Sequence, residues 1–249
     1  MTATGDMAPP EPGRAAARRW PQGTLLDALD PRDRDALLAR GALRVFAPGE
    51  PLITEGDAAT DVFLLLDGCV KVVGHSVDGR AVLLSIRIGG DVVGELAALD
   101  NRPRLASVLA ATKVTARVSA QSQFLAFLDA RPEAARAVSR SIATKMRSIT
   151  RHRVDVSGAS VLVRLARVLE HLVESYSTPC PEGLRIDVPL SQPELAALIG
   201  AAEPSLHRAL AFLRGRGVLV TRYRRQIVRD RALLEKISRD DDPEARRIG

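Results

Sequence analysis

The chain has 249 residues, of which 36 are Lys or Arg and 30 are Asp or Glu, so its formal net charge is +6. A hydrophobic content of 46% with 27% charged residues is typical of a globular protein and excludes a collagen or a wholly disordered chain. Two cysteines are too few for a cysteine-built zinc site, and the sequence has no run of 18 apolar residues that could cross a bilayer as a helix. The N-terminus lacks the apolar core of a secretory signal, so we expect a cytoplasmic protein.

The basic charge is concentrated in the second half of the chain. Residues 1–130 carry 14 basic and 16 acidic side chains, whereas residues 131–249 carry 22 and 14, so the net charge changes from −2 to +8. This asymmetry indicates a polyanionic partner, and 32 of the 36 basic residues are arginine, which suits phosphate and guanine. A general bias toward arginine would explain the ratio of Arg to Lys but not the asymmetry. Only eight residues are aromatic, so a helix in a DNA groove is favoured over bases stacked on aromatic rings.

The first half of the chain predicts a small antiparallel β-roll over residues 23–130. Residues 1–22 have no periodicity and predict a disordered tail. Asp30 followed by Pro31 predicts a short helix that ends near Gly41. From there on, short apolar runs alternate with Gly-Glu, Gly-Asp and Asp-Gly pairs, including a tight-hairpin signal at Asp78-Gly79. The predicted strands are Val62–Leu66, Val70–Val73, Ala81–Ile88 and Val108–Val118.

A heptad pattern predicts a long helix over residues 131–157. The spacing between successive heptad positions alternates between three and four residues. These positions are Ala135, Val138, Ile142, Lys145, Ile149, His152 and Val156. A narrow apolar stripe on a helix of about 25 residues is typical of a two-stranded coiled coil, whereas the alternative is a helix packed on its own β-roll. The predicted dimer contacts are Val138, Ile142, Met146, Ile149 and Val156. Ser157-Gly158 ends the helix and marks a domain boundary.

The remaining chain predicts a winged helix-turn-helix over residues 158–240, followed by a tail over 241–249. A helix capped by Ser160 leads, through a loop containing Pro179 and Cys180, to a short strand at Leu184–Val188. Ser191 and Glu194 form an S-x-x-E capping box at the start of the next helix. A second helix begins at Pro204, stops at Gly215 and Gly217, and precedes a basic hairpin around residues 222–225.

The second helix of this unit is the predicted reader of DNA. In a helix-turn-helix, the N-terminal residues of that helix face base edges, while the hairpin tip lies near phosphates. Residues 203–231 contain eight arginines and two acids. The alternative is a solvated helical hairpin in a protein that never meets DNA. The predicted DNA contacts are Ser191, Gln192, Glu203, Ser205, His207, Arg208, Arg222, Arg224 and Arg225.

Residues 93–108 contain a candidate site for a small sugar phosphate. Gly94 followed by a helical turn exposes backbone amides, which bind phosphate well. Arg104 supplies a charged partner for the phosphate, and Glu95 can accept a hydrogen bond from a sugar hydroxyl.

This segment resembles the phosphate-binding cassette of cyclic-nucleotide-binding domains, whose pattern is G-E-L-A followed by P-R-x-A-[ST]-V. The chain matches it at Gly94–Ala97 and Pro103–Val108, and its order of elements over about residues 24–235 is similar to that of Crp/Fnr-family transcription regulators. The resemblance implies an α+β protein with a jelly-roll-like sensor domain, a long dimerisation helix and a winged helix-turn-helix. The effector-binding residues that it implies, with the hydroxyl of the dimer helix included, are Gly94, Glu95, Leu96, Arg104, Leu105, Ala106, Ser107 and Thr150.

The resemblance also implies a mechanism and a set of partners. A cyclic nucleotide, with cAMP as the first candidate, would favour the orientation that places two recognition helices about one DNA turn apart. The partners would be double-stranded operator DNA, a second copy of the chain and RNA polymerase, with no membrane and no enzymatic activity. No metal and no cofactor other than the effector are expected.

Departures from the family pattern leave alternatives open. Leu105 occupies a position often held by a small or hydroxyl residue, and Ile149 replaces a hydroxyl beside Thr150, which favours a regulator whose effector is lost or different. Glu203 and Pro204 stand where many relatives have an Arg-Glu pair, so the operator of those relatives is not assumed here.

A third possibility is a cyclic-nucleotide-binding regulatory subunit that acts through protein contacts. An iron–sulphur sensor is excluded because two cysteines cannot supply the ligands, and a haem held by Cys69 or His75 is disfavoured. The four histidines are not arranged with a nucleophile or with metal ligands, which argues against an enzyme.

Overall fold

The computed structural model describes residues 20–75, 81–156, 159–222 and 225–243, with the backbone alone for residues 148–156. The first half contains two facing four-stranded antiparallel sheets, with the strand orders β1-β8-β3-β6 and β2-β7-β4-β5. Its elements are α1 (Leu25–Ala28), α2 (Pro31–Leu38), β1 (Ala42–Phe46), β2 (Pro51–Ile53), β3 (Val62–Asp67), β4 (Cys69–His75), β5 (Ala81–Ile88), β6 (Val92–Val93), α3 (Glu95–Asp100), β7 (Ser107–Ala110), β8 (Val114–Ser119) and α4 (Gln121–Asp129).

The two sheets enclose one apolar core, as a β-roll requires. Phe46, Phe63 and Val114 from the first sheet pack with Val70 and Val108 from the second. The inward side chains alternate with more exposed ones along β7 and β8, which is the period-two pattern of strands with one buried face.

Two expectations for this half need correction. The predicted strand Val108–Val118 is two strands, β7 and β8, because the chain turns between Ala110 and Val114 and the strands enter different sheets. The predicted tail over residues 1–22 is too long, since Trp20 is only 8% exposed and packs with Leu25 and Leu26. The predicted hairpin at Asp78-Gly79 lies outside the described residues.

The long helix α5 (Pro132–Val156) begins and ends within one residue of its predicted bounds. Its first turns pack on the protomer itself, because Ala134, Ala137 and Val138 are buried against α1 and α4. Ile142 also packs against this cluster. The first half of the heptad pattern therefore faces the chain's own sensor half, as the alternative interpretation had it.

The C-terminal half is a helical unit with a four-stranded sheet in the order β11-β12-β10-β9. The predicted caps Ser160 and Ser191 are both present, and Ser191 forms the complete capping box with Glu194. The segment at Pro179 and Cys180, predicted as a loop, is strand β9 because it pairs with β10. The elements are α6 (Val161–Tyr176), β9 (Ser177–Cys180), β10 (Gly183–Ile186), α7 (Gln192–Leu198), α8 (Glu203–Gly215), β11 (Leu219–Arg222), β12 (Arg225–Val228) and α9 (Arg231–Ser238).

The two halves share an apolar contact. Cys69, Leu83 and Ile86 on strands β4 and β5 belong to the same buried cluster as the core of the C-terminal half. None of the described helices is long and apolar enough to span a bilayer.

Candidate effector site and DNA-binding surface

The backbone at Gly94 forms the base of the candidate effector site. Gly94 has φ 84°, in the left-handed region that favours glycine, and it immediately precedes α3. A Cβ atom there would lie 2.7 Å from Nη1 of Arg104 and 2.8 Å from the carbonyl oxygen of Asp61. Any larger residue would therefore displace the arginine that the site depends on.

Arg104 is buried beside this glycine, with 5% of its surface exposed. Its Nη1 donates to the carbonyl oxygen of Gly94 at 2.9 Å, and its Nη2 donates to that of Asp61 at 2.6 Å. Within the described ranges no carboxylate forms an ion pair with it, and burial lowers the pKa of the guanidinium while Asp61, Asp57 and Glu95 partly offset this at longer range. A buried cation held by carbonyl oxygens favours the approach of an anion.

Glu95, the first residue of α3, is also buried. Its Oε1 accepts a hydrogen bond from Nζ of Lys145 on α5 at 2.8 Å, and the same ammonium donates to the carbonyl oxygen of Val92 at 2.7 Å. Lys145 is one of the heptad positions of α5, and the sequence motif of the effector cassette does not include it. The one signal for such a role was a basic residue at an otherwise apolar position.

The other residues of the predicted effector site differ in how far they are exposed to solvent. Leu105 is 75% exposed, so it is not packed among the buried residues of the site and does not crowd Glu95 and Arg104. Leu96 is exposed, and Ala106 is half-buried. Ser107 is half-buried, and its Oγ accepts from the backbone N–H of Glu55 at 2.9 Å. The side chain of Thr150 lies outside the described residues.

The predicted dimer contacts divide along α5. Val138 is 2% exposed in the protomer's own core, so its assignment to a surface that meets a second copy needs correction. Ile142 is half-buried beside this core and stays a predicted dimer contact. Met146 is 64% exposed and stays a candidate. The side chains of Ile149 and Val156 lie outside the described part of the chain.

Helices α7 and α8 present the predicted DNA-reading residues on one unit. Gln192, Glu203, His207 and Arg208 are exposed, and Ser205 is half-buried. Nη2 of Arg208 donates to Oγ of Ser205 at 3.2 Å, which holds the guanidinium over the first turns of α8. The Ser191 hydroxyl takes part in the cap of α7, because its Oγ donates a hydrogen bond to Oε2 of Glu194 at 2.8 Å.

The β11–β12 hairpin places further arginines beside α8. Arg222 and Arg225 are exposed, and Arg224 lies outside the described residues. Nη2 of Arg222 donates to Oε1 of Glu182 at 2.6 Å. Glu182, which the sequence did not single out, thus restrains an arginine that DNA would compete for.

Comparison with known proteins gives a match for each half of the chain. Residues 43–131 match the cyclic nucleotide-binding domain, and residues 163–237 match the Crp-like helix-turn-helix domain. A CRP-like cAMP-activated global transcriptional regulator of Mycobacterium tuberculosis is 30% identical over 172 residues, which cover 69% of this chain and 77% of that protein. The chain belongs to the Crp/Fnr family of transcriptional regulators.

Two further Crp/Fnr relatives extend the match over more of the chain. The transcriptional regulator LdrP of Thermus thermophilus is 29% identical over 78% of this chain and 95% of its own length. The crystal structure of a CRP-family transcriptional regulator from Thermus thermophilus has a TM-score of 0.68 at 28% identity and covers 78% of this chain and 96% of that one. Like other members of the Crp/Fnr family, this protein is a DNA-binding regulator with a cyclic-nucleotide-binding domain and is not an enzyme.

Proposed function

We propose that this Crp/Fnr-family regulator is a homodimer whose affinity for operator DNA is controlled by a cyclic nucleotide, with cAMP as the first candidate. The observation that carries the proposal is the pair of buried charged residues beside Gly94, namely Arg104 and Glu95. Burying an ionised side chain is costly unless it has a partner, so two such residues beside one glycine with a left-handed backbone are typical of a binding site. The regulator of Mycobacterium tuberculosis that matches this chain is described as cAMP-activated.

Each residue of the site has a chemical role in this proposal. The Arg104 guanidinium would pair with the cyclic phosphate, and the free backbone amides at the start of α3 would donate to the same group. Glu95 would accept a hydrogen bond from a ribose hydroxyl through the oxygen that Lys145 leaves free. Thr150 of α5 would contribute the hydroxyl that the family resemblance implies.

DNA binding would follow from α8 and the β11–β12 hairpin. Arg208 would donate to guanine, Ser205 would contact a base or a phosphate, and Arg222 and Arg225 would neutralise phosphates beside the groove. Two copies joined along α5, with Met146 at the contact, would present two recognition helices to one operator, and RNA polymerase would then be the next partner. A regulator with these partners would act in the cytoplasm.

One observation favours a second candidate, a regulator of the same kind that needs no effector. Glu95 is already paired with Lys145, so the buried carboxylate has a partner before any nucleotide arrives. Against this candidate, Leu105 is exposed and leaves Arg104 uncrowded.

Titration calorimetry with cAMP and with cGMP separates the two candidates. We expect heat with at least one nucleotide, its loss in Arg104→Ala, and its retention in Arg102→Ala, a matched change at an exposed arginine two positions earlier. The DNA site would be selected from a random library by the wild-type protein, and its affinity measured with and without the nucleotide. The absence of heat with either nucleotide, together with tight DNA binding, would establish the effector-independent candidate.

A further inference from the structure

Among the described residues, Lys71 and Tyr176 form polar contacts that join the sensor half of the chain to its DNA-binding half. Nζ of Lys71 on β4 donates to Oε1 of Glu194 on α7 at 2.6 Å. Oη of Tyr176, at the end of α6, donates to the carbonyl oxygen of Ile86 on β5 at 3.3 Å. Both contacts lie beside the apolar cluster that the two halves share.

The ion pair is well protected from water on the sensor side. Lys71 is 7% exposed, and within the described ranges Glu194 is the acidic side chain that pairs with it. A buried ammonium that loses its partner costs far more than an exposed one, so separating the two halves here is unfavourable unless something else supplies the charge. Tyr176 adds a second anchor, and burial raises the pKa of its hydroxyl to about 12, so it remains a neutral donor.

The Glu194 carboxylate serves both halves at once. Its Oε2 accepts hydrogen bonds from the backbone N–H and the Oγ of Ser191, each at 2.8 Å, and so completes the cap of α7. Its Oε1 is held by Lys71. The N-terminus of the first helix of the helix-turn-helix is therefore fixed relative to strand β4.

The same sheet contains β7, the strand that follows the effector cassette. In the order β2-β7-β4-β5, strand β7 begins at Ser107, just after Arg104, and Ser107 pairs with Val73 on β4. Lys71 pairs with Leu109 on β7 and with Ile86 on β5. Three neighbouring strands thus connect the end of the effector cassette, the Lys71 ammonium and the carbonyl group that Tyr176 binds.

While these contacts hold the two halves together, the predicted DNA-reading side chains of α7 and α8 remain exposed. Gln192, His207 and Arg208 are exposed. Lys71 also neutralises Glu194, an acid in the first turn of α7 that would otherwise repel DNA phosphates. In this orientation the sensor half therefore leaves these side chains uncovered, and the charge at the start of α7 is balanced.

We propose that the Lys71–Glu194 ion pair, together with the Tyr176–Ile86 hydrogen bond, is a latch that holds the helix-turn-helix in its DNA-competent orientation. The effector acts on this latch through β7 and β4. This inference rests on the proposed function, and it adds the contact through which the effector site and the DNA-binding surface are coupled.

A double-mutant cycle tests the latch. The variants are Lys71→Met, Glu194→Gln and the double change, with Lys113→Met as the matched control at an exposed lysine. Gln keeps an oxygen for the capping box, so Glu194→Gln removes mainly the charge. Affinity for the library-selected DNA site is measured by fluorescence anisotropy with and without cAMP.

We expect each single variant to bind DNA about tenfold more weakly, and the double variant to be no weaker than either, because both changes break one interaction. Cyclic AMP should increase the DNA affinity of Lys71→Met less than that of the wild type. Tyr176→Phe, which removes one hydroxyl, should give a smaller loss in the same direction. Additive losses, or wild-type affinity in Lys71→Met, would overturn the latch.

A second readout keeps the test independent of the proposed function. Hydrogen exchange of the backbone amides of α7 should be faster in Lys71→Met than in the wild type, and unchanged in Lys113→Met. Equal exchange in all three proteins overturns the latch even if DNA is bound. If the wild type binds neither DNA nor nucleotide but the exchange difference is present, the proposed function fails and the contact between the halves stands.

Discussion

The ammonium of Lys145 lies 2.8 Å from the Glu95 carboxylate, which bonds the middle of the long helix α5 to the first residue of α3. The two residues are 50 positions apart in the chain, and both side chains are largely shielded from water. The helix that we propose as the dimer contact therefore also touches the candidate effector site. A nucleotide that competes for Glu95 would act directly on α5.

Lys145→Met is expected to destabilise the protein and weaken nucleotide binding. The change leaves the Glu95 carboxylate buried without its cation and the Val92 carbonyl without its donor, at a cost of about 2 to 4 kcal/mol. Urea unfolding measures the free energy of unfolding, and calorimetry with cAMP measures the binding. Lys113→Met is the control because it removes an exposed lysine. Equal stability of Lys145→Met and the wild type would show that the ion pair contributes nothing.

Local signals predicted much of the fold, whereas contacts between distant segments were not predictable from the sequence. The bounds of α5 follow from Pro132 and from Ser157-Gly158, and the cap of α7 follows from Ser191 and Glu194, which are three residues apart.

Which face of α5 is buried depends instead on α1 and α4, which a heptad pattern does not contain. The pattern therefore assigned Val138 to a second copy, although it belongs to the protomer's own core. The effector cassette was visible as a motif, but Lys145 and Lys71 find their acidic partners 50 and 123 positions away. Only the three-dimensional arrangement brings these charges together.

Met146→Glu is expected to weaken the dimer. Met146 is 64% exposed on α5, and a carboxylate at the centre of an apolar contact between two helices would face its own copy across the twofold axis. The dimer dissociation constant from analytical ultracentrifugation should rise by at least about tenfold.

Thr144→Glu places the same charge two residues earlier, on another face of α5, and should leave the dimer unchanged. A Met146→Glu protein that dimerises like the wild type would exclude this position from the interface.

Arg208→Ala is expected to reduce specific DNA binding more than non-specific binding. Arg208 is exposed near the start of α8, and one bidentate arginine–guanine contact is worth about 1 to 3 kcal/mol, or roughly 5- to 160-fold in affinity. Gel-shift titrations against the selected site and against random DNA measure the two affinities. Arg32→Ala, at an exposed arginine of the sensor half, is the control. An equal loss on both DNAs would make Arg208 a phosphate contact.

Glu203→Gln is expected to strengthen non-specific binding. Glu203 is exposed in the first turn of α8. In the proposed complex its charge would repel phosphates, and its oxygens would accept from cytosine. Removing the charge should raise the affinity for random DNA about two- to fivefold at low salt, with a smaller effect at high salt. Preference for the selected site should fall at the same time. An unchanged affinity for random DNA would place Glu203 away from the phosphates.

Glu194 should make the stability of the protein depend on pH. Burial raises the pKa of this carboxyl. The hydrogen bonds that it accepts from Lys71 and Ser191 lower the pKa by more than burial raises it, so the pKa lies below the ordinary value of 4.5. A carboxylate whose pKa is lowered in the folded state adds stability above its unfolded pKa, and this stability is lost as the pH falls through the folded pKa.

We therefore expect Glu194→Gln to lower the free energy of unfolding at neutral pH by about 1 to 2 kcal/mol, a modest figure because the Glu194 side chain is partly exposed. The difference from the wild type should shrink as the pH falls below 4.5, where the unfolded carboxyl is protonated. Urea unfolding across this range measures it, with Glu203→Gln as the control because it makes the same substitution at an exposed site. A difference between wild type and Glu194→Gln that stays constant down to acid pH would show that the Lys71 and Ser191 bonds do not depend on the charge of Glu194.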